Sequence, residues 1–532
     1  MDRNELSAAM IQDLGAVFTA ALEEALPVLL GCDLAGMEQR VRALGRAVLG
    51  QVITRVIRLH ATLGAEERGV CPACGGALQC VERARVRQVQ GLVGAYTLHR
   101  VYYRCAACGQ GHLPLDAHLG LGTGVLSPGL ARVVCREGID GACENAVDRV
   151  AESLGVTPTD EVVRRATEGM GAVAEAAVQE AMARVARGQP AWAVRDPVDP
   201  PASEVLAVEV DGLFVHRDDG WHEMKVATVA PLGPEREVDA ETGRARLAWG
   251  KASYAAGFEE AQVFWGRGYA EACRRGLGTR AVRTVILIAD AADWIWHSGR
   301  VFLGLPDVEL VEILDLYHVY AYLWLVGNTV FGAGTAAAAW IEPRKTRLYA
   351  EGPAPVQAAL ATRADRVRAT EAADPADAES APTATVRRAV AYFTDHAARL
   401  DYPSFVARAF PSGSGAVESS GKTVVQARTK GAGLRWSGTG AQAVVSLRAL
   451  HRSGRWDTFW QSQPQRAHLR LGPRQRRPPA PAPALAPPPA ASVPAPVLTP
   501  PPAPPTLAPP QPLRPAADHV WRRAPIGRPR SA

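Results

Sequence analysis

Two groups of residues in this 532-residue chain have types and spacings able to do chemistry. The first is a pair of cysteine knuckles, CPACGG at 71–76 and CAACG at 105–109. Each is a CxxC with a glycine just after the second cysteine. Cys71, Cys74, Cys105 and Cys108 can therefore bring four thiolates to one tetrahedral centre, which suits structural Zn2+ with no open coordination position. Four unrelated buried cysteines are the plainer reading, and the paired spacing argues against it. His112 and His118 lie nearby, but a fourth thiolate makes them unnecessary as ligands. Cys32, Cys80, Cys135, Cys143 and Cys273 are scattered and read as ordinary buried or half-buried residues. Nine cysteines are too sparse for a disulfide scaffold, so the expected compartment is a reducing cytoplasm.

The second group is acidic. VILIADAADWIWH, 285–297, runs five apolar residues into Asp290, as a strand buried on both faces does where it leaves the core. Asp290 reads either as a helix N-cap or as a metal ligand. Asp211 closes the strand-like EVLAVEV, and Glu418 falls in the first turn of a helix expected from about 416, where the helix dipole favours an acid in any case. Singly, each acid suits a cap or turn. Together, at two sheet ends and one helix start, they form a hard oxygen set suited to Mg2+ or Mn2+ with room for phosphate and water. Asp293 is then the expected cap of the helix that follows Asp290.

Cations follow the last acid. Lys422 falls one helical turn after Glu418, and Arg428, Lys430 and Arg435 precede Trp436. Such a patch can hold phosphates near a metal, or be a solvated basic face. Upstream, ENAVDRVAESLGVTPTDEVVRRATEGMG, 144–171, has a helix-turn-helix layout with Arg164 and Arg165 on its second helix. It reads equally as a DNA-contacting pair or a plain packing unit.

The elements that must position these groups follow from periodicity. Residues 1–67 carry apolar positions such as Met10, Leu14, Val17 and Phe18 at helical spacing and predict two helices, with packing or a partner surface as their role. Residues 68–120 form the zinc-ribbon-like segment, a hairpin broken by Gly91 and Gly94 carrying the second knuckle. Residues 126–190 are helical. From 204 to 334 the order is three strands, helix, strand, helix, strand, helix, the third strand lying near ARLAWGKASY. In a mixed sheet of that order the first and fourth strands lie side by side, as in the ribonuclease H-like topology. Residues 335–405 read as a helical insertion with a polar break at ADPADAESAP, 406–462 resume the core with its final helix and basic segment, and 473–532 form a Pro-rich, extended tail. The fold class is thus multidomain α/β.

A net charge of +5 permits nucleic acid without requiring it. The start MDRNELSAAMIQDLG places charges where a secretory signal needs an apolar core. Residues 318–341 contain no Asp, Glu, Lys or Arg and are long enough to span a bilayer, but three glycines, an Asn and no basic flank favour a buried core helix plus a loop.

The chain resembles the DDE transposases of the ISKra-four insertion-sequence family. The resemblance rests on VDGLFVHR (210–217), IADAADWIW (288–296), ILDLYH (313–318), SGSGAVESSGKTVVQARTKGAGLRW (412–436) and GAQAVVSLRALHRSGRWDTFW (440–460). With the knuckles and the helix pair it covers most of residues 1–460. It implies a ribonuclease H-like catalytic core with a helical insertion before the final acid, and a triad of Asp211, Asp290 and Glu418. Asp315 and His318 match a D-x-x-H signature of related transposases, in which His318 contacts DNA, positions a catalytic group or only packs, and is not a metal ligand. It further implies metal-dependent cleavage and strand transfer on double-stranded DNA, at the element's terminal repeats and in target DNA, by a homo-oligomer with no membrane partner.

Two departures stand out. Where the family usually has DGAPWIW, this chain has DAADWIW, with Ala291 for a Gly and Asp293 for a Pro. They leave open a second reading, a catalytically inactive or repurposed transposase-derived DNA-binding protein. The Pro-rich tail looks foreign to the family, although WRRAPIGRPR (521–530) resembles a basic terminus found there.

Overall fold

A computed structural model describes residues 3–63, 70–189, 203–238, 243, 245–371, 381–431 and 434–462. The expected Pro-rich tail, its basic end and most of ADPADAESAP lie outside the described residues.

The N-terminal periodicity produces helices α1 (Arg3–Leu29) and α2 (Leu34–Leu63). Strands β1 (Leu78–Gly91) and β2 (Gly94–Cys105) pair as an antiparallel hairpin, with Gly91 opposite Gly94, and β3 (Gly111–His112) joins the free edge of β2. Gly94 has φ +125°, which a side chain would oppose. A short helix α3 (Pro114–His118) leads to α4 (Pro128–Asp140), α5 (Cys143–Leu154) and α6 (Asp160–Ala186). Helix α5 stops where Gly155 turns left-handed, and Thr159 caps α6 by accepting the Val162 N–H.

The central sheet is mixed, with strands β4 (Val205–Arg217), β5 (Gly220–Val238), β6 (Ala245–Trp249), β7 (Ser253–Gly257), β8 (Thr284–Ala289) and β9 (Glu309–Leu314). Helix α7 (Ala261–Arg274) precedes β8, and α8 (Asp293–Leu303) follows it. The sheet order is β6-β5-β4-β8-β9, with β7 also on β5. Strands β4 and β8 are parallel neighbours, β8 and β9 likewise, and β5 is antiparallel to β4. Three expectations are corrected here. Strand β4 does not close at Asp211 but continues through Gly212 to Arg217, because its antiparallel ladder with β5 runs the whole way; only the parallel ladder with β8 ends, at Val210 opposite Ala289. The single third strand is two, β6 and β7, separated where Gly250 donates to the Pro231 carbonyl. Asp293 is the first residue of α8, whose cap position is Ala292 with no side-chain cap bond.

Helix α9 (Leu316–Phe331) ends before Gly332, at φ +74°, and α10 (Thr335–Glu351) starts afresh. The apolar stretch 318–341 is therefore two helices, and among the described residues no helix is long and apolar enough to cross a membrane. Helices α11 (Ala354–Glu371), α12 (Ala381–Asp395) and α13 (Tyr402–Ala407) follow. These share one apolar cluster with the sheet, in which Leu287 and Ile313 meet Trp340, Phe393 and Tyr402. A second cluster joins Leu213, Val215 and Met224 of the sheet to Val417, Val424 and Val445. Its helical side is α14 (Gly415–Ser420), a π-helical segment Gly421–Gln426 and, after the short α15 (Ala427–Thr429), α16 (Gly438–Arg452); α17 (Trp456–Gln461) closes the described chain.

Candidate functional site

The two knuckles fold alike. In each, the second glycine-side turn closes with a backbone bond to the first cysteine's carbonyl, Gly75 to Cys71 at 2.8 Å and Gly109 to Cys105 at 3.0 Å. Both glycines are left-handed, φ +71° and +70°, so the CxxCG spacing is a backbone requirement. The sulfurs of Cys71 and Cys108 lie 3.7 Å apart and those of Cys74 and Cys105 3.5 Å. Four sulfurs at the usual zinc distance from one tetrahedral centre would stand about 3.8 Å apart. All four ligand atoms lie within 4.8 Å of one another, so this cluster could hold a metal ion. Backbone N–H groups of Cys108 and Ala107 point at the Cys105 sulfur and lower its thiol to about 6, whereas at Cys74 the Gly76 N–H pulls the same way but the bonds with the Cys105 and Cys108 sulfurs raise it to about 12. His112 packs its Nε2 3.2 Å from the Cys71 sulfur and stays outside the four-sulfur group. Among the scattered cysteines, Cys80 is exposed rather than buried, since β1 presents it to solvent.

The acids come together through strand register. Val210 lies opposite Ala289, so Asp211 and Asp290 are the next residues of two parallel neighbours. Burial is the largest influence on Asp211 and, with the charges of Asp290 and Glu418, lifts it to about 6 against the pull of the Gly212 N–H and His318. Asp211, Asp290, Glu418 and His318 thus share one electrostatic neighbourhood. Their spacing is open: among the described residues, only the four cysteines draw their ligand atoms to within 4.8 Å of one another. Like charges repel without a cation between them, and the donor set is one of hard oxygens. Asp290 Oδ1 also accepts the Ala292 N–H at 2.9 Å, so the turn-residue reading of Asp290 holds alongside any ligand role.

The turn that carries Glu418 is held by Glu209, which was not among the expected residues, and by Asp315, which was expected beside His318. Glu209, fully buried two residues before Asp211 and hence on the same strand face, accepts the Val417 N–H at 2.6 Å, while its Oε1 has no partner. Asp315, also fully buried, accepts the Ser414 N–H at 2.7 Å. Two buried carboxyl groups thereby hold the opening turn of α14. Thr228, opposite Glu209 in the ladder, donates to Ser420 at 2.9 Å on the same helix. Burial, opposed by the Val417 N–H, raises Glu209 to about 8, with the Asp315 charge adding to the rise. The available sequence signal was an acid inside an otherwise apolar strand, VEVDG.

Asp315 has a second task. It caps α9, accepting the His318 N–H at 3.0 Å, and pairs with His318 Nδ1 at 2.6 Å. That bond raises the imidazole to about 9, so His318 is a cation at neutral pH.

The expected basic residues divide. Lys422 is exposed, 3.9 Å from Glu418, and Lys430 and Arg435 are exposed. Arg428 is not a surface cation: it is buried, donates to the Gly138 carbonyl at the end of α4 and lies over the Trp436 ring, which removes it from phosphate contact. Arg164 pairs with Glu161 and Glu168, and Arg165 with Glu161, along the outer face of α6.

No protein-family model matches the chain, and no curated protein is significantly similar to it.

Proposed function

We propose that the chain is a DDE-type transposase of an insertion sequence, cutting DNA at the element's ends and joining it to target DNA, with a ribonuclease H-like core interrupted by α10–α13. The observation that supports this reading is the register of β4 and β8, which sets Asp211 beside Asp290, while Glu209 and Asp315 hold the opening turn of the helix that carries Glu418. Asp211, Asp290 and Glu418 would hold Mg2+ or Mn2+. Such an ion supplies Lewis-acid charge stabilisation and a nucleophile at neutral pH. The protein's own contribution is to orient the three carboxylates, to keep His318 positive beside them, and to present Lys422, Lys430 and Arg435 to phosphates. The four-cysteine cluster would hold structural Zn2+, and α5–α6 would contact the terminal repeats with the charge pairs of Arg164 and Arg165 exchanged for phosphate.

The test is cleavage of end-labelled element-end DNA with Mg2+ or Mn2+. Asp290→Asn should bind that DNA as the wild type does while its cleavage falls on the order of 100-fold or more. Full metal-dependent cleavage by Asp290→Asn would falsify the assignment. A second reading, a DNA-binding protein without catalysis, is favoured by one observation: Asp290 is engaged as a helix-entry residue beside Ala291 and Asp293. It predicts wild-type binding without cleavage by either ion.

A further inference from the structure

Helix α1 is apolar over two adjoining faces, and only one is covered. Leu14, Val17, Ala21, Ala25 and Leu29 recur at helical spacing and are wholly or partly buried. Turned by roughly one quarter of the helix, a second stripe is exposed: Ile11, Phe18, Leu22 and Leu26. Helix α2 repeats the pattern with Val41 and Leu49 exposed. At 100° per residue in an antiparallel pair, both exposed stripes fall on the same side of the α1–α2 hairpin.

We propose that this face pairs two copies of the chain across a two-fold axis. Three features select a second copy as the occupant. First, the six exposed side chains, between 37% and 68% accessible, present on the order of 600 Å2 of apolar surface, at the top of the range for the largest patch of a monomer and at the low end of what one partner contributes to a stable dimer. Second, Ile11, Gly15, Phe18 and Leu22 are spaced by four, three and four residues, the seam by which one helix accepts another. Third, the seam is complementary to itself: a side chain at Gly15 would meet nothing within 4 Å, and Phe18 stands one turn away. In a two-fold antiparallel contact centred between them, Phe18 of each copy fills the gap at Gly15 of the other. Gly45, equally open, repeats the gap on α2. The inference is carried by α1 and α2 alone and does not depend on the catalytic reading.

Sedimentation equilibrium of the full chain over micromolar concentrations tests it. A dimer is expected, weakened at least about 100-fold by Phe18→Glu, the usual reach of a central anchor residue. Gly15→Leu is the sharper variant, because leucine strengthens an isolated helix while filling the gap. It should raise helical content yet loosen the dimer. A monomer at every concentration, a dimer indifferent to both substitutions, tighter association of Gly15→Leu, or partition onto lipid vesicles in place of pairing would each overturn the proposal.

Discussion

Glu209 shows how one buried carboxyl can serve two elements at once. It belongs to β4, yet its acceptor oxygen terminates the first turn of α14. Glu209→Ala should cost about 1–3 kcal/mol in urea unfolding, because the buried Val417 N–H loses its acceptor, whereas Glu209→Gln keeps an acceptor and should cost less. His318 gives the pH dependence. Its folded value of about 9 lies above the ordinary 6.5, so the fold binds this proton more tightly than the unfolded chain does. The stabilisation from Asp315–His318 is therefore complete below 6.5 and lost as pH rises through about 9. His318→Gln should flatten the fall of the thermal midpoint over that window. Because His318 is partly exposed, the difference should be modest.

At the scale of elements, the segment after Glu418 is the least regular. A π-helical turn leaves carbonyls without their usual helical partners. Arg448 of α16, nearly fully buried, donates to the Val424 carbonyl at 3.0 Å and to that of Thr423, and also reaches Ile139 and Asp140 at the end of α4. With Arg428 on Gly138, two buried arginines fasten the end of α4 to the helix that carries Glu418. The knuckles are a separate matter of local folding. Their turns depend on Gly75 and Gly109, and Cys74 and Cys108 are exposed. If the cluster holds the proposed Zn2+, chelation or Cys108→Ser should release it and raise hydrogen exchange in β1–β3 while leaving that of β4 and β8 unchanged. Equal loosening of the central sheet would show that the cluster stabilises more than its own hairpin.

At the scale of the whole molecule, the acidic site is assembled from places far apart in the chain. Asp211 and Asp290 arrive by parallel pairing, and Glu418 arrives after four helices, α10–α13, have packed on the same apolar cluster as the sheet. The chain leaves and returns at one place, where Leu316 donates to the Ser412 carbonyl at 3.0 Å. The exposed hairpin face of α1–α2 lies at the other extreme of organisation, a surface that one copy leaves uncovered.

Local residue patterns determined a good deal. The CxxCG spacing set the four-sulfur cluster, since consecutive turns bring the ligands together with few long-range contacts. The run VILIA, the helix that follows Asp290 and the helix expected from about 416 were legible because apolar patterning reports burial directly, although the cap of the first falls at Ala292 and not at Asp293. Only the tertiary structure decided that β4 runs on past Asp211, that Arg428 is buried, and that Glu209 and Asp315 hold α14. Those outcomes depend on which strand or helix end lies across from a residue, and a charged side chain reads the same in sequence whether it faces water or an unpaired backbone group.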